Sequence, residues 1–536
     1  ARQRLRAFKP PANNVSGWLL RAGALLASGL AWGCQVGSLD VPIGADRPSV
    51  FYISPDGDDT APGTRDKPWK TLGHATDALK PGQTLLLLNG DYWPDTTGTI
   101  SVDCGSTPHQ GKPDAPITLR AESERGAVLH GDGATVPLAM WGCSHWSIEG
   151  LVFMNEHVED VPQGVDVGTN ALLQGGHDLT LRRLLFLRSN HFRHSHVLRI
   201  IEAARVLVEE CEAYDFYHNA FEAVRSSAVT FRRNYFHSRY AVSAGNTVGV
   251  DDPTRGEVAI QVEESASALL ENNVAEVVGT GFSIVGRSIG SSYTDPPPYG
   301  VSGARLFGNL VRDSLSNGFR IETRCNEAVP CVVPERIVTD TLIVNGVAVQ
   351  TPVGVSVDAA PGARVDNMTL VDVTSGVVLK RGTGNAGLDF SASAARVAVR
   401  GFSGVAFAAS EAAEWSFEHC AAQLPGTEAI DFSPNDARVL QPVTAASDDE
   451  CVAYLGRLSL LRGAAGVDGD VGANVIYRYQ DGTLSHQPLW DPKTGEFPCG
   501  AVVPGINDDP AQSCIGVHQR FQVGSEACKL PYPEVK

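Results

Sequence analysis

Histidine, arginine and carboxylate side chains crowd into one stretch of this chain. NHFRHSH supplies His191, His194 and His196, and FYHN supplies His218. Arg199, Glu222, Arg225, Gln261 and Glu263 follow at strand-like spacings, with Asp251 and Asp252 in a loop between them. Histidine is the natural general base near neutral pH, because its ordinary pKa lies there. Arg199 or Arg225 could serve as the base in its place, and a cation must neutralise the charge that develops when a proton is removed next to a carboxylate. Two carboxylates across a cleft, Glu222 and Glu263, could instead serve as the acid and the base or nucleophile of a hydrolysis. Glu222, Glu263, Asp251 or Asp252 could also hold calcium through oxygen ligands. Lysine is not available: the chain has 9 Lys against 34 Arg, and none lies between Lys112 and Lys380. The candidate catalytic residues are therefore His194, His196, Arg199, Glu222, Arg225 and Glu263, with Asp251 and Asp252 as candidate calcium ligands.

A repeat must position these groups. Short strands with period-2 alternation begin at Leu198, Phe221, Ile260, Phe282, Phe319, Val355 and Val377. Each is followed by a second strand of related form, as in VLVEECEA, VTFRRNYF and ALLENNVA, with Asn, Cys or an apolar residue at one fixed place. The steps fit a basic turn of about 22–23 residues, lengthened three times by roughly 15 polar, Gly/Pro-rich residues. Such a turn, without helices, predicts an all-β parallel β-helix whose insertions hang from one side. Stacked rungs would align outward side chains in columns. The first column reads Arg199, Glu222, Gln261, Ser283, Arg320, Ser356, Val378, and the second Ile201, Val224, Glu263, Val285, Glu322, Asp358, Lys380. His218, Gln261, Arg320 and Glu322 are the candidate substrate-binding groups along them. The plain alternative is a solvated sheet with cross-strand ion pairs such as Arg199–Glu222.

The opening segment carries a more specific signal. VFYIS leads through a polar turn to a short helix over about 71–79, with Leu72, Ala75, Ala78 and Leu79 on one face, and Pro81-Gly82 stops it before TLLLLNG. This resembles the start of right-handed parallel β-helix proteins of the pectin-lyase-like superfamily, in which the helix covers the open end of the solenoid. The resemblance implies activity on polysaccharides, by β-elimination on uronic acids or by hydrolysis. The gap between Lys112 and Lys380 disfavours those of its families that use a lysine base, and the Asn-Thr-Asp and His-Gly pattern of the β-helix polygalacturonases is absent. A non-catalytic reading stands beside it: an anchored glycan-binding or adhesive rod.

The rest of the sequence bounds the setting. A chain of 536 residues exceeds one ordinary core but suits a solenoid. A net charge of −18 argues against nucleic acid as a partner. Residues 1–34 combine a basic stretch, an apolar run and Cys34, the form of an export signal, and resemble a bacterial lipoprotein signal. A secreted or periplasmic protein, lipid-anchored at Cys34 and otherwise monomeric, is expected. Ten further cysteines suffice for five disulfides, with Cys104–Cys143, Cys325–Cys331 and Cys499–Cys514 the natural pairs. The β-helix is expected over 50–410, and an irregular segment, 411–536, packs on or caps it.

Overall fold

The computed structural model describes residues 49–105, 109–155, 169–189, 196–238, 258–287, 302–324, 337–380, 391–409, 415–423, 451–457, 459–500, 507–525 and 528–532. Cys34 and the export-type segment lie outside them, as do Cys325 and Cys331. Parallel strands wind into three faces. Thirteen described strands stack in sequence order on the first, from Val50–Ile53 to Trp415–Glu418. The other parallel strands make two more faces, which join where Val274–Arg287 and Leu310–Arg324 run through a corner. The fold is a right-handed parallel β-helix.

Alternation builds the core. On the third face Leu198 and Ile200, Phe221 and Ala223, Ile260 and Val262, and Phe282 and Ile284 point inward and are buried. Inside, Phe153 stacks on Phe186 of the next rung at 5.4 Å, and Phe186 meets Phe221 edge to face at 5.6 Å.

One corner explains the repeat's fixed Asn/Cys place. Arg183, Glu210, Arg233, Asn272, Asn345, Asn367, Arg396 and His419 all have positive φ there, between 49 and 58°. The left-handed residue turns the chain from the first face to the second, and the next side chain enters the interior. Asn234, Asn273 and Asn309 occupy that next place and form a ladder. Asn234 donates its backbone N–H to Asn273 Oδ1 at 3.0 Å, and Asn273 donates its own to Asn309 Oδ1 at 2.9 Å. Asn273 Nδ2 also donates to the Phe231 carbonyl at 2.9 Å. Asn273→Ala should destabilise the protein by about 2–4 kcal/mol, because the buried Asn234 and Phe231 groups lose their partners. A shift of the urea midpoint checks this.

Cysteine usage differs from the disulfide expectation in part. Cys104–Cys143 is bonded, and so is Cys451–Cys528. Cys211 and Cys420 are thiols, because they occupy the ladder column in place of Asn and bond neighbouring carbonyls inside the helix. Burial pushes both thiols up to about 12. Cys499 and Cys514 are also thiols: Cys499 Sγ donates to the Cys514 carbonyl, while Cys514 Sγ is turned to Glu212 Oε2 at 3.2 Å.

At the start, the helix Leu72–Ala78 buries Leu72, Ala75 and Thr76 against the first rungs. The β-helix runs on past residue 410, since Trp415–Glu418 and Ala421–Gln423 pair with the rung before them. Small alanines in that rung weaken the sequence pattern without breaking the strands. Beyond, Cys451, Tyr454, Trp490, Phe497 and Phe521 bury themselves against Leu185, Tyr214, Tyr235, Val274 and Leu310 on the second face.

Candidate active site

The third face aligns the two outward columns in the expected register. Arg199 pairs with Glu222, Glu222 with Gln261, Gln261 with Ser283, Ser283 with Arg320, Arg320 with Ser356 and Ser356 with Val378. The second column pairs Val224 with Glu263, Glu263 with Val285, Val285 with Glu322 and Glu322 with Asp358.

These columns are not a solvated strip around Glu222. His196, Glu222, Gln261 and Glu263 are only 2–4% exposed. Glu222 collects donors on both oxygens. Oε2 faces His196 Nε2 at 3.0 Å and accepts from Arg199 Nε at 2.9 Å. Oε1 accepts from Asn219 Nδ2 at 2.9 Å and Gln261 Nε2 at 3.1 Å. Burial alone would raise the carboxyl, yet His196, Arg199 and His218 together hold it well below the usual carboxylate range. Glu222 is therefore an ionised, fully partnered carboxylate.

His196 has one nitrogen on that carboxylate and the other, Nδ1, buried with no hydrogen-bond partner among the described residues. With Nε2 facing the carboxylate, Nδ1 is the ring atom left to accept a proton. The His218 ring stands edge-on to it at 5.1 Å. Gln261 Nε2 also donates to Glu263 Oε2 at 3.0 Å, so one amide nitrogen bridges two carboxylates.

The remaining candidates fall elsewhere. Arg225 sits at a left-handed corner, φ 47°, where its guanidinium meets Glu202 at 2.5 Å. Arg320 Nε donates to Ser283 Oγ at 3.1 Å and lies 3.7 Å from Glu322, which Arg324 also pairs at 2.6 Å. Burial pulls the Arg320 guanidinium below its ordinary value. His191, His194, Asp251 and Asp252 lie outside the described residues. Glu222 does not fit a calcium ligand, because an imidazole, a guanidinium and two amides already occupy its oxygens.

Asn219 escapes a reading of residue types, and Asp358 stands in the second column without a role assigned to it. Asn219 is a poor strand former placed inside a strand, Asn219–Val224, and that misfit was its signal. Asp358 stands beside Glu322 in the second column, and burial raises its pKa, with Lys380 opposing and Glu322 adding to the rise. A carboxyl whose folded pKa is raised is favoured in its protonated form, so its penalty grows as pH climbs through and above its unfolded value. Asp358→Asn should thus stabilise the protein at pH 7, by less than about 1 kcal/mol at this partly exposed site. The gain should vanish near pH 3, which melting curves at the two pH values would show.

With this geometry in place, comparisons with known proteins add the following. Residues 51–223 match the family model described as Pel9A-like, right handed beta helix region. An uncharacterized Bacillus subtilis protein, YwoF, is 33% identical over 82 residues, 15% of this chain and 16% of that protein. Pectate lyase PEL9 of Emericella nidulans is 35% identical over 82 residues, 15% of this chain and 18% of that protein. The matched stretch thus spans under a fifth of either relative. Among solved structures, pectate lyase Pel9A is 14% identical with a TM-score of 0.42, over 79% of this chain and 95% of that one. The GH136 lacto-N-biosidase from Eubacterium ramulus is 14% identical with a TM-score of 0.40, over 68% and 67%.

Proposed function

We propose that the protein is an exported β-helix enzyme that cleaves an acidic polysaccharide laid along the third face, by β-elimination, with His196 as the base. One observation carries the reading: His196 is held by an ionised buried carboxylate on one nitrogen and, among the described residues, has no partner on the other. In that role Nδ1, buried in the free protein, takes the proton α to a uronate carboxylate once bound substrate displaces what covers it, and Glu222 stabilises the imidazolium that results. Arg199 and Arg320, at 13% and 17% side-chain exposure, offer guanidinium groups to substrate carboxylates along the first column. They act locally against a chain whose net charge of −18 would otherwise repel such a polymer. The match over residues 51–223 supports the substrate class, and two disulfides accord with an oxidising compartment.

Hydrolysis is the second reading, favoured by the Gln261 bridge between Glu222 and Glu263. It requires one protonated carboxyl; Glu222 is held ionised, so Glu263 would have to be the acid. The test is a screen of purified protein on uronic-acid and neutral polysaccharides, with calcium or chelator added. Ultraviolet absorbance from unsaturated products supports elimination. Reducing ends without unsaturation move the assignment to the carboxylate pair. Binding without either product would overturn catalysis in favour of a glycan-binding rod.

A further inference from the structure

A second polar cluster lies at the corner where the chain leaves the third face for the first, outside the site described above. His145 and Asp178 occupy equivalent left-handed positions on successive rungs, φ 59 and 56°, and His177 precedes Asp178. His177 Nδ1 is 2.7 Å from Asp178 Oδ2, and His145 Nδ1 is 3.8 Å from the same oxygen. The two imidazoles meet edge to face at 5.2 Å. One donor atom from each of the three residues lies within 4.8 Å of the others. Side-chain exposures of 18%, 45% and 33% for His145, His177 and Asp178 leave the cluster open to solvent.

We propose that His145, His177 and Asp178 bind a divalent cation of the zinc class, clipping two rungs together at this corner. Two imidazoles and one carboxylate suit zinc, cobalt or nickel, whereas calcium and magnesium call for oxygen ligands. Donor atoms around a tetrahedral zinc stand about 3.3–3.6 Å apart, given bonds of about 2.0–2.2 Å. The widest separation, up to 4.8 Å, must close by about 1 Å and the 2.7 Å His177–Asp178 contact must open by somewhat less, both within reach of side-chain rotation. Binding replaces the His177–Asp178 hydrogen bond, so the metal takes the place of an existing contact. The backbone beneath is already tied: the Cys104–Cys143 disulfide joins the preceding rungs, and His177 N–H donates to the Cys143 carbonyl. A metal would extend that staple by one rung.

Arg205 sets the sign of the test. It sits at the next left-handed place, φ 51°, and gives Nε and Nη2 to the two Asp178 oxygens, both at 2.8 Å. Its hydrogen bond is the foremost reason the Asp178 carboxyl is held far below the usual range. It keeps the ligand ionised but also competes for it. Zinc chloride titrated calorimetrically into the full chain should therefore bind, and His177→Ala should weaken binding at least tenfold. His145→Asn, which preserves the left-handed backbone, should do the same. Arg205→Gln should strengthen binding several-fold, a gain that misfolding cannot produce. Equal affinity in the parent and His177→Ala, or no gain in Arg205→Gln, would overturn the proposal, as would a parent that takes up no zinc.

Discussion

His196→Ala should lower kcat on the acidic polysaccharide by about 10²–10⁴-fold, the span attributed to a positioned general base, with little change in KM. The variant should still fold, because Glu222 keeps Arg199, Asn219 and Gln261 as partners when the imidazole leaves. Glu222→Gln is the informative companion. The amide fills the same space, but it cannot stabilise an imidazolium as a carboxylate does, so kcat should fall by a comparable factor. Arg199→Ala should act differently, raising KM more than it lowers kcat if its guanidinium mainly holds a substrate carboxylate. Initial rates of unsaturated product formation separate these patterns. A His196→Ala protein with undiminished kcat would end the assignment of His196 as base.

The register of the site was legible before its environment was. Period-2 strands on a fixed step are enough to place Glu222 beside Arg199 and Gln261, since parallel rungs repeat the same inward and outward faces. The same repeat flagged the inward corner place that Asn234, Asn273 and Cys211 share, although counting cysteines in pairs obscured what Cys211 does there. Burial was not legible. A column of charged outward residues reads as a wet sheet, and nothing local tells that Glu222 is 3% exposed with four donors around it. The raised pKa of Asp358 likewise comes first from burial, with Glu322 on a neighbouring rung adding to it and Lys380 on another opposing. The C-terminal segment was the least readable part. It has no period of its own, and its position comes from residues far back in the chain. Asn345 and Asn367, both left-handed corner residues, donate their amides to the carbonyls of Asn474 and Asp470.

Glu271→Ala tests that clasp where the charge is most deeply buried, and should cost about 3–5 kcal/mol. Glu271 is fully buried and accepts Arg232 Nε at 2.8 Å on Oε2. Its Oε1 accepts the Gly482 N–H at 2.7 Å, and Arg232 reaches on to Asp481. Beside it Asn272 Oδ1 accepts the Tyr479 N–H at 2.6 Å, and the Tyr479 ring stacks on Phe307 at 5.2 Å. Removing the carboxylate leaves a buried guanidinium with less counter-charge and two backbone donors, the N–H groups of Asp481 and Gly482, without their acceptor. Glu271→Gln should lie between parent and Ala, since its amide oxygen still accepts one N–H. The damage should be directional: limited proteolysis should cut within 451–500 before the rungs are attacked. Third-face chemistry should survive in the molecules that remain folded, because this segment lies on the second face. An unshifted denaturation midpoint in Glu271→Ala, or cleavage that begins in the rungs, would mean that apolar contacts alone hold the segment, chiefly those of Trp490, Phe497 and Phe521.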